Sequence, residues 1–455
     1  LLLDLGNEQM RAMRTQGVRT AEDEAEAKRL ARDFDIKRLD RSFLDDPYPV
    51  YRALREHDPV HRMPDGSYFL SRYDDCAAVY RDPKTWSSDK KIDFRPNFGT
   101  SSLYEHHTTS LVFNDPPYHS RVRKLLAPAF TPRALKALQP RIEALVDRLL
   151  DRAAERGTID LIGDFAAAIP LQLIGDMLGV PDGERGPLRD WSLTILGALE
   201  PVLTPEQFQC GTKAVDDFKL YLRDLVARRS REQHLDEGEI LSKLIAASEL
   251  APNGGSGDRM TDLELLHNCI FLLNAGHETT TNLIGNGVDL LIRNPDALRN
   301  LRDHPELIES AVEEFLRVES SNQLGNRRAA NDTTLGGVAM QRGTYIHIGI
   351  GAANRDPAQF PDPERLDIAR HPNRHLAFGT GIHACAGMSL ARMEAHVAIG
   401  KLVQRFETLE HGGEFVRGGR ARFRGFLRYP LRLNKPAPAR KPQPAAPAPN
   451  SAPRR

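Results

Sequence analysis

The 455 residues are 40% hydrophobic and 27% charged, the make-up of an ordinary globular protein rather than a disordered or fibrous one. Lys+Arg and Asp+Glu are both 62, so no net field favours nucleic acid or an anionic membrane surface, and no stretch approaches the roughly 18 uncharged apolar residues of a membrane helix. Cys76, Cys210, Cys269 and Cys385 lie far apart with no Cys-x-x-Cys pair, which argues against a disulfide framework or a four-cysteine zinc site and suits a reducing cytoplasm.

In chain order, residues 1–39 read as an N-terminal extension with a polar, exposed helix over 21–34. A helix at 47–57 leads into a hairpin, because Pro-Asp-Gly sits between two short apolar runs. Residues 86–116 show no sustained period and read as a long loop, functional or disordered. Helical patterns follow at 117–127, 132–155, 165–178, 205–231, 261–293 and 305–319. A small sheet is expected over 327–350, then a Pro/Asp-rich meander, then a helix from Gly387 to Phe406. The tail 434–455, proline-rich and basic, is expected to be disordered.

The stretch HLAFGTGIHACAG (375–387) places Cys385 on a glycine loop at the mouth of a helix. Glycines at 379, 381 and 387 let the backbone lie close against a flat ligand, and Phe378 adds an apolar wall. A helix N-terminus favours the thiolate, and a thiolate so held suits the axial position of a haem iron. Two blander readings compete: a small buried hydrophobe, and a zinc site from His371, His375, His383 and Cys385, whose spacings of 4, 8 and 2 match no standard pattern.

FGTGIHACAG resembles the haem-binding signature of the cytochrome P-450 superfamily, Phe-Gly-x-Gly-x-His-x-Cys-x-Gly, with Ala386 where many bacterial members carry Leu. The resemblance extends over about 40–433 with the motifs in the family's order. It implies one mainly α, triangular helical haem domain with a small β-rich lobe, haem b as cofactor, and Cys385 as the iron ligand. Phe378, Gly379, Ala275 and Gly276 would lie against the haem.

Three other segments agree. Gly276 and three consecutive threonines make LLNAGHETTTNLIG a poor helix centre on propensity, a broken local rule that points to function. The Thr279 hydroxyl can bond the Ala275 carbonyl four residues back and open the helix locally, with Glu278 supplying a carboxylate beside it. This stretch is similar to the family's oxygen-binding segment, which implies that Thr279 and Glu278 are catalytic and deliver protons. Glu314 and Arg317 are three apart and share a helix face; the resemblance implies a buried network joined by Arg365 of the meander. It also implies that His119, Arg123, Arg327 (or its neighbour Arg328) and His375 bind the haem propionates.

The implied activity is a monooxygenase inserting one oxygen atom of O2 into a small organic substrate by hydroxylation or oxidative demethylation. Its electrons would come from an iron–sulfur ferredoxin and an NAD(P)H-dependent reductase; Arg121, Lys124 and Arg392 read either as a face for an acidic partner or as an ordinary solvated charged face. A monomer without nucleic-acid partner or membrane anchor, in the cytoplasm, is expected. Two rival classes are a haem-thiolate ligand-binding or sensor protein without turnover, and a peroxide-using haem enzyme. Phe94, Phe98, Leu103 and Tyr104 are expected to roof the substrate pocket, and Asn322 and Gln323 to line it; Lys90, Lys91 and Arg95 could attract a carboxylate.

Overall fold

The computed structural model describes residues 20–231, 240–248 and 259–436. Helices dominate it: α1 (Ala21–Arg32), α2 (Tyr48–His57), α3 (Ser102–Thr109), α4 (Tyr118–Leu126), α5 (Pro132–Arg156), α6 (Ala168–Met177), α7 (Leu188–Gly197), α8 (Pro205–Arg229), α9 (Asp262–Arg293), α10 (Ile308–Val318) and α11 (Met388–Arg405) are the principal ones. Among the described residues no helix is long and apolar enough to cross a membrane.

The centre of the molecule is α9. A capping box starts it: the Thr261 hydroxyl accepts the Glu264 amide while the Glu264 carboxylate accepts the Thr261 amide. Its residues from Leu265 to Leu291 are mostly buried on every side, so the surrounding helices, not propensity, hold it. It packs against α6, α7, α10 and α11.

The main sheet holds β1 (Val60–Arg62), β2 (Tyr68–Leu70), β3 (Trp86–Ser87), β4 (Leu324–Ala329) and β5 (Tyr345–Gly349), in the order β1-β2-β5-β4-β3. The β1–β2 hairpin is antiparallel with Val60 opposite Leu70, as the Pro-Asp-Gly turn predicts. Beyond β2 the chain leaves the sheet, and β2 pairs in parallel with β5. A second sheet joins 158–160, 406–411 and 430–436.

Three differences from the sequence reading stand out. Residues 86–116 are not a bare loop: two short helices, Lys91–Phe98 and α3, form there. The Ser101 side chain caps α3, and Phe94, Phe98 and Phe113 surround His107, so packing replaces the missing period. The helix α7 had no expectation attached to it. Third, residues 434–436 continue the strand Pro430–Pro436 rather than opening a tail, and the rest of the expected tail lies outside the described residues. In the N-terminal extension, Ala31, Phe34 and Ile36 are buried in one cluster with Tyr51, Leu54 and Phe69.

Candidate active site

A cavity of about 340 Å³ lies between the Cys385 loop and the middle of α9. Phe378, Gly379 and Cys385 line one wall, and Ala275, Gly276 and Thr279 line the cavity from α9. The sequence predicted both sets, and the fold brings them to one space.

Local structure fixes the sulfur. Gly379 and Gly381 have positive φ, and the Cys385 amide donates to the Phe378 carbonyl at 2.9 Å, closing the loop under the first turn of α11. The Gly387 amide bonds the thiol, but burial outweighs it and pushes the thiol above its ordinary value. A free thiolate is therefore disfavoured here; a metal on the sulfur reverses that balance by taking the proton's place. The zinc reading fails on geometry: among the described residues no group of three or more His, Cys, Asp or Glu is placed to hold a metal.

Arg123, Arg327, His119 and His383 also border the cavity. The His119 and His383 rings stand 4.1 Å apart, and neither His119 nitrogen nor His383 Nε2 has a hydrogen-bond partner. Among the described residues no carboxylate pairs with Arg123 or Arg327, and burial lowers His119 from its ordinary value, with Arg123 adding to it. Arg327 gives Nη1 to the Asn326 carbonyl, but four such side chains without a carboxylate partner, beside a space walled by Cys385 and Phe378, fit the two carboxylates of a haem. His383, offered by the sequence only within the motif and as a zinc candidate, thus joins the expected set.

His375 does not border the cavity. Its Nε2 lies 3.2 Å from Glu313, and its Nδ1 accepts the Ala377 amide, so both nitrogens are engaged. Arg328 is likewise excluded as the alternative to Arg327, because it bonds Asp93 and the Gly343 carbonyl.

On α9, the Thr279 hydroxyl donates to the Ala275 carbonyl at 2.6 Å, the bond expected from the sequence, while the helix runs on unbroken. Glu278 is turned elsewhere. It lies in a separate crevice with His277 and Arg420, accepts from Arg420 at 2.6 Å, and leaves Oε2 without a partner. Burial pushes this carboxyl up to about 7, with Arg420 opposing.

Glu314 and Arg317 are fully buried and joined by two bonds of 2.8 Å. The third member is Arg370, not Arg365. Arg370 Nε reaches Glu314 at 3.2 Å, whereas the Arg365 side chain is exposed and only its carbonyl accepts from Arg317. The reason is local: the meander turns at Asp362, which has positive φ, and Arg370 anchors that turn through the Pro361 and Asp362 carbonyls.

The pocket roof also differs. His106, His107, Leu111 and Phe113 line the cavity, while Phe94, Phe98 and Leu103 are buried outside the lining. Asn322 lines it as expected, but Gln323 is buried and donates to the Ser320 carbonyl. Glu394, which had no expectation attached, is fully enclosed beside Thr280. The expected docking cations are mostly engaged: Arg121 pairs with Glu264 and Arg392 with Glu313.

The family model described as Cytochrome P450 matches residues 193–418. Cytochrome P450 107B1 of Saccharopolyspora erythraea is 37% identical over 391 residues, 82% of this chain and 91% of that protein. Vitamin D(3) 25-hydroxylase of Pseudonocardia autotrophica is 39% identical over 368 residues, 79% of this chain and 86% of that one. Among solved structures, P450BioI in complex with acyl carrier protein ligated to hexadec-9Z-enoic acid superposes with a TM-score of 0.79 at 32% identity, covering 86% of this chain and 100% of that one. CalO2 superposes with a TM-score of 0.81 at 32% identity, covering 89% and 99%. With the cysteine loop, the threonine-bearing helix and the buried Glu-Arg pair in place, the chain belongs to the cytochrome P450 family.

Proposed function

We propose that this P450 monooxygenase hydroxylates a small organic substrate, using electrons from a separate ferredoxin and its NAD(P)H-dependent reductase. The observation that carries this reading is the opposition of Cys385 and the Ala275–Thr279 segment across one cavity. Haem b, the family's cofactor, supplies reductive activation of O2 and transfer of one oxygen atom. Relatives named as hydroxylases, among them 6-deoxyerythronolide B hydroxylase of Saccharopolyspora erythraea at 35% identity, favour hydroxylation over demethylation.

The residues have separable tasks. Cys385 ligates the iron, with Phe378 and Gly379 leaving room for the macrocycle. Arg123, Arg327, His119 and His383 hold its propionates. Thr279 directs its hydroxyl hydrogen at the Ala275 carbonyl, which leaves the oxygen lone pairs free to accept at the cavity. Glu278 holds a proton near neutral pH, and to pass it toward Thr279 the carboxyl must leave Arg420. The apolar remainder of the lining excludes water and seats the substrate.

The reading is tested with the purified protein reduced by dithionite and exposed to CO. A strongly red-shifted Soret band in the wild type, lost in Cys385→Ser, is expected; an unshifted band or a haem-free protein overturns it. Product formation with NADH, surrogate ferredoxin and reductase, but not with H2O2, separates the monooxygenase from the sensor and peroxide-using alternatives.

A further inference from the structure

Three arginines line the cavity: Arg123, Arg327 and Arg422. The charges that act most on His383 are Arg327, His119 and Arg123, the cluster matched to the two propionates. Arg422 is left over. It belongs to a different part of the wall, where the Gln323 amide donates to the Arg422 carbonyl at 2.8 Å and the Arg424 amide to the Ser321 carbonyl at 2.9 Å. This antiparallel bridge, with Asn322 opposite Phe423, fixes Ser321 and Asn322 beside Arg422.

The guanidinium is half-satisfied. Nε donates to the Leu199 carbonyl at 3.0 Å and Nη1 to the Leu324 carbonyl at 2.8 Å. Among the described residues Nη2 makes no hydrogen bond, although Arg422 is the charge that acts most on the nearby Glu200 carboxyl. Glu200 is near in space, but its carboxylate accepts the Ala421 and Arg422 amides at 2.8 and 3.2 Å, on the backbone side. Glu394 is the one acid among the described lining residues, and burial raises it to about 8, so it is neutral at pH 7. Ser321, 5% exposed and also in the lining, has its hydroxyl unpartnered. The loop cations that could have taken this role are engaged: Lys90 with Asp93, Lys91 with Asp89, and Arg95 against the Tyr104 ring.

Resting on the oxygenase reading, we infer that the cavity selects a substrate carrying a carboxylate on an otherwise apolar body, with Arg422 as the anchor and Ser321 and Asn322 beside it. Arg422 already acts on the nearby Glu200 carboxyl, yet its open Nη2 at a largely apolar cavity still gains from an anion placed there. A carboxylate matches the open Nη2 and can also accept from the Ser321 hydroxyl and the Asn322 amide. Leu111, Phe113, Leu196 and Phe271 of the lining suit the apolar body.

The test uses the haem-loaded full chain at pH 7.5 and two matched pairs: dodecanoic acid with methyl dodecanoate, and 4-phenylbutanoic acid with its methyl ester. Dissociation constants are read from the low-spin to high-spin change and repeated by calorimetry. At least one acid is expected to bind tenfold or more tightly than its ester in the wild type, and Arg422→Met to lose that preference while ester affinity changes less than threefold. Equal affinity for acids and esters, or no binding by either acid, overturns the inference, and that comparison needs no variant. So does a preference that survives Arg422→Met. Loss of haem from both Arg422→Met and Arg422→Gln assigns the guanidinium to the cofactor and likewise overturns it. A wild type without the CO-shifted band is a different failure, that of the oxygenase reading itself.

Discussion

Arg420 Nη1 donates to Glu278 Oε1 at 2.6 Å, in a crevice apart from the cavity that the next residue, Thr279, lines. Burial raises Glu278 to about 7 and Arg420 is the main group pulling it back. Removing Arg420 therefore lifts the carboxyl further. If Glu278 acts as an acid, wild-type turnover falls as pH rises through about 7. Arg420→Gln is expected to move that limb to higher pH, and Glu278→Gln to abolish it. Product formation from pH 6 to 9 with a surrogate ferredoxin and reductase checks this; a limb unmoved in Arg420→Gln separates the pair from proton delivery.

The Glu314–Arg317 pair makes a sharper stability prediction. Both side chains are fully buried, and Glu314 also accepts from Arg370, Asn373 and the Asp367 amide. Arg317→Ala strands the carboxylate and is expected to destabilise the fold by about 3–5 kcal/mol. Arg370→Ala leaves Arg317 in place, so its effect is smaller. Arg365→Ala, on an exposed side chain, is expected to stay within about 0.5 kcal/mol. Urea unfolding of the three variants ranks them, and an Arg365 effect equal to that of Arg370 contradicts the assignment.

The glycines of the cysteine loop are not equivalent. Gly381 has a φ of +72°, and a Cβ there would sit 2.4 Å from the Tyr80 carbonyl oxygen, a backbone atom that cannot step aside. Gly387 has a φ of −89°, and its added Cβ would meet only the Phe130 ring at 3.7 Å. Gly381→Ala is thus expected to strain the loop and lower the stability of the haem-free protein, whereas Gly387→Ala, which meets no backbone, leaves that stability unchanged. Urea unfolding of the two haem-free variants measures both, and equal losses refute the distinction.

Much of this site was legible because its chemistry is local. Cys385 with its glycines, Thr279 with Ala275, and Glu314 with Arg317 each lie within one loop or one helix, where spacing alone fixes proximity. What escaped the sequence depends on distant segments meeting. Arg370 displaced Arg365 because a turn at Asp362, not a spacing rule, decides which arginine points inward. His375 looked like a donor to the haem until Glu313, on α10, took its Nε2. Arg422 came to lie in the cavity wall because its neighbour Phe423 forms an isolated bridge with Asn322, far earlier in the chain. The same limit applies to the fold. Periodicity marked α9 and α5, whereas α3 owes its form to the aromatic packing of Phe94, Phe98 and Phe113 around His107.

Glu394 offers the cleanest pH signature, because nothing in the sequence gives it a counter-charge. The carboxyl is enclosed between α11 and α9 near Thr280, Oε1 lacks a partner, and burial raises it from 4.5 to about 8. Between those values the folded protein keeps a proton that the unfolded chain releases, so this group's contribution to stability falls as pH rises from 4.5 through 8. Below 4.5 both states are protonated and the group contributes no slope. Glu394→Gln keeps the shape and removes the titration. The variant is expected to match the wild type near pH 5 and to exceed it at pH 8.5 by on the order of a few kcal/mol. Urea midpoints at pH 5, 7 and 8.5 decide the matter: parallel losses in the two proteins place the titrating group elsewhere, while a flatter profile in Glu394→Gln assigns it to this carboxyl.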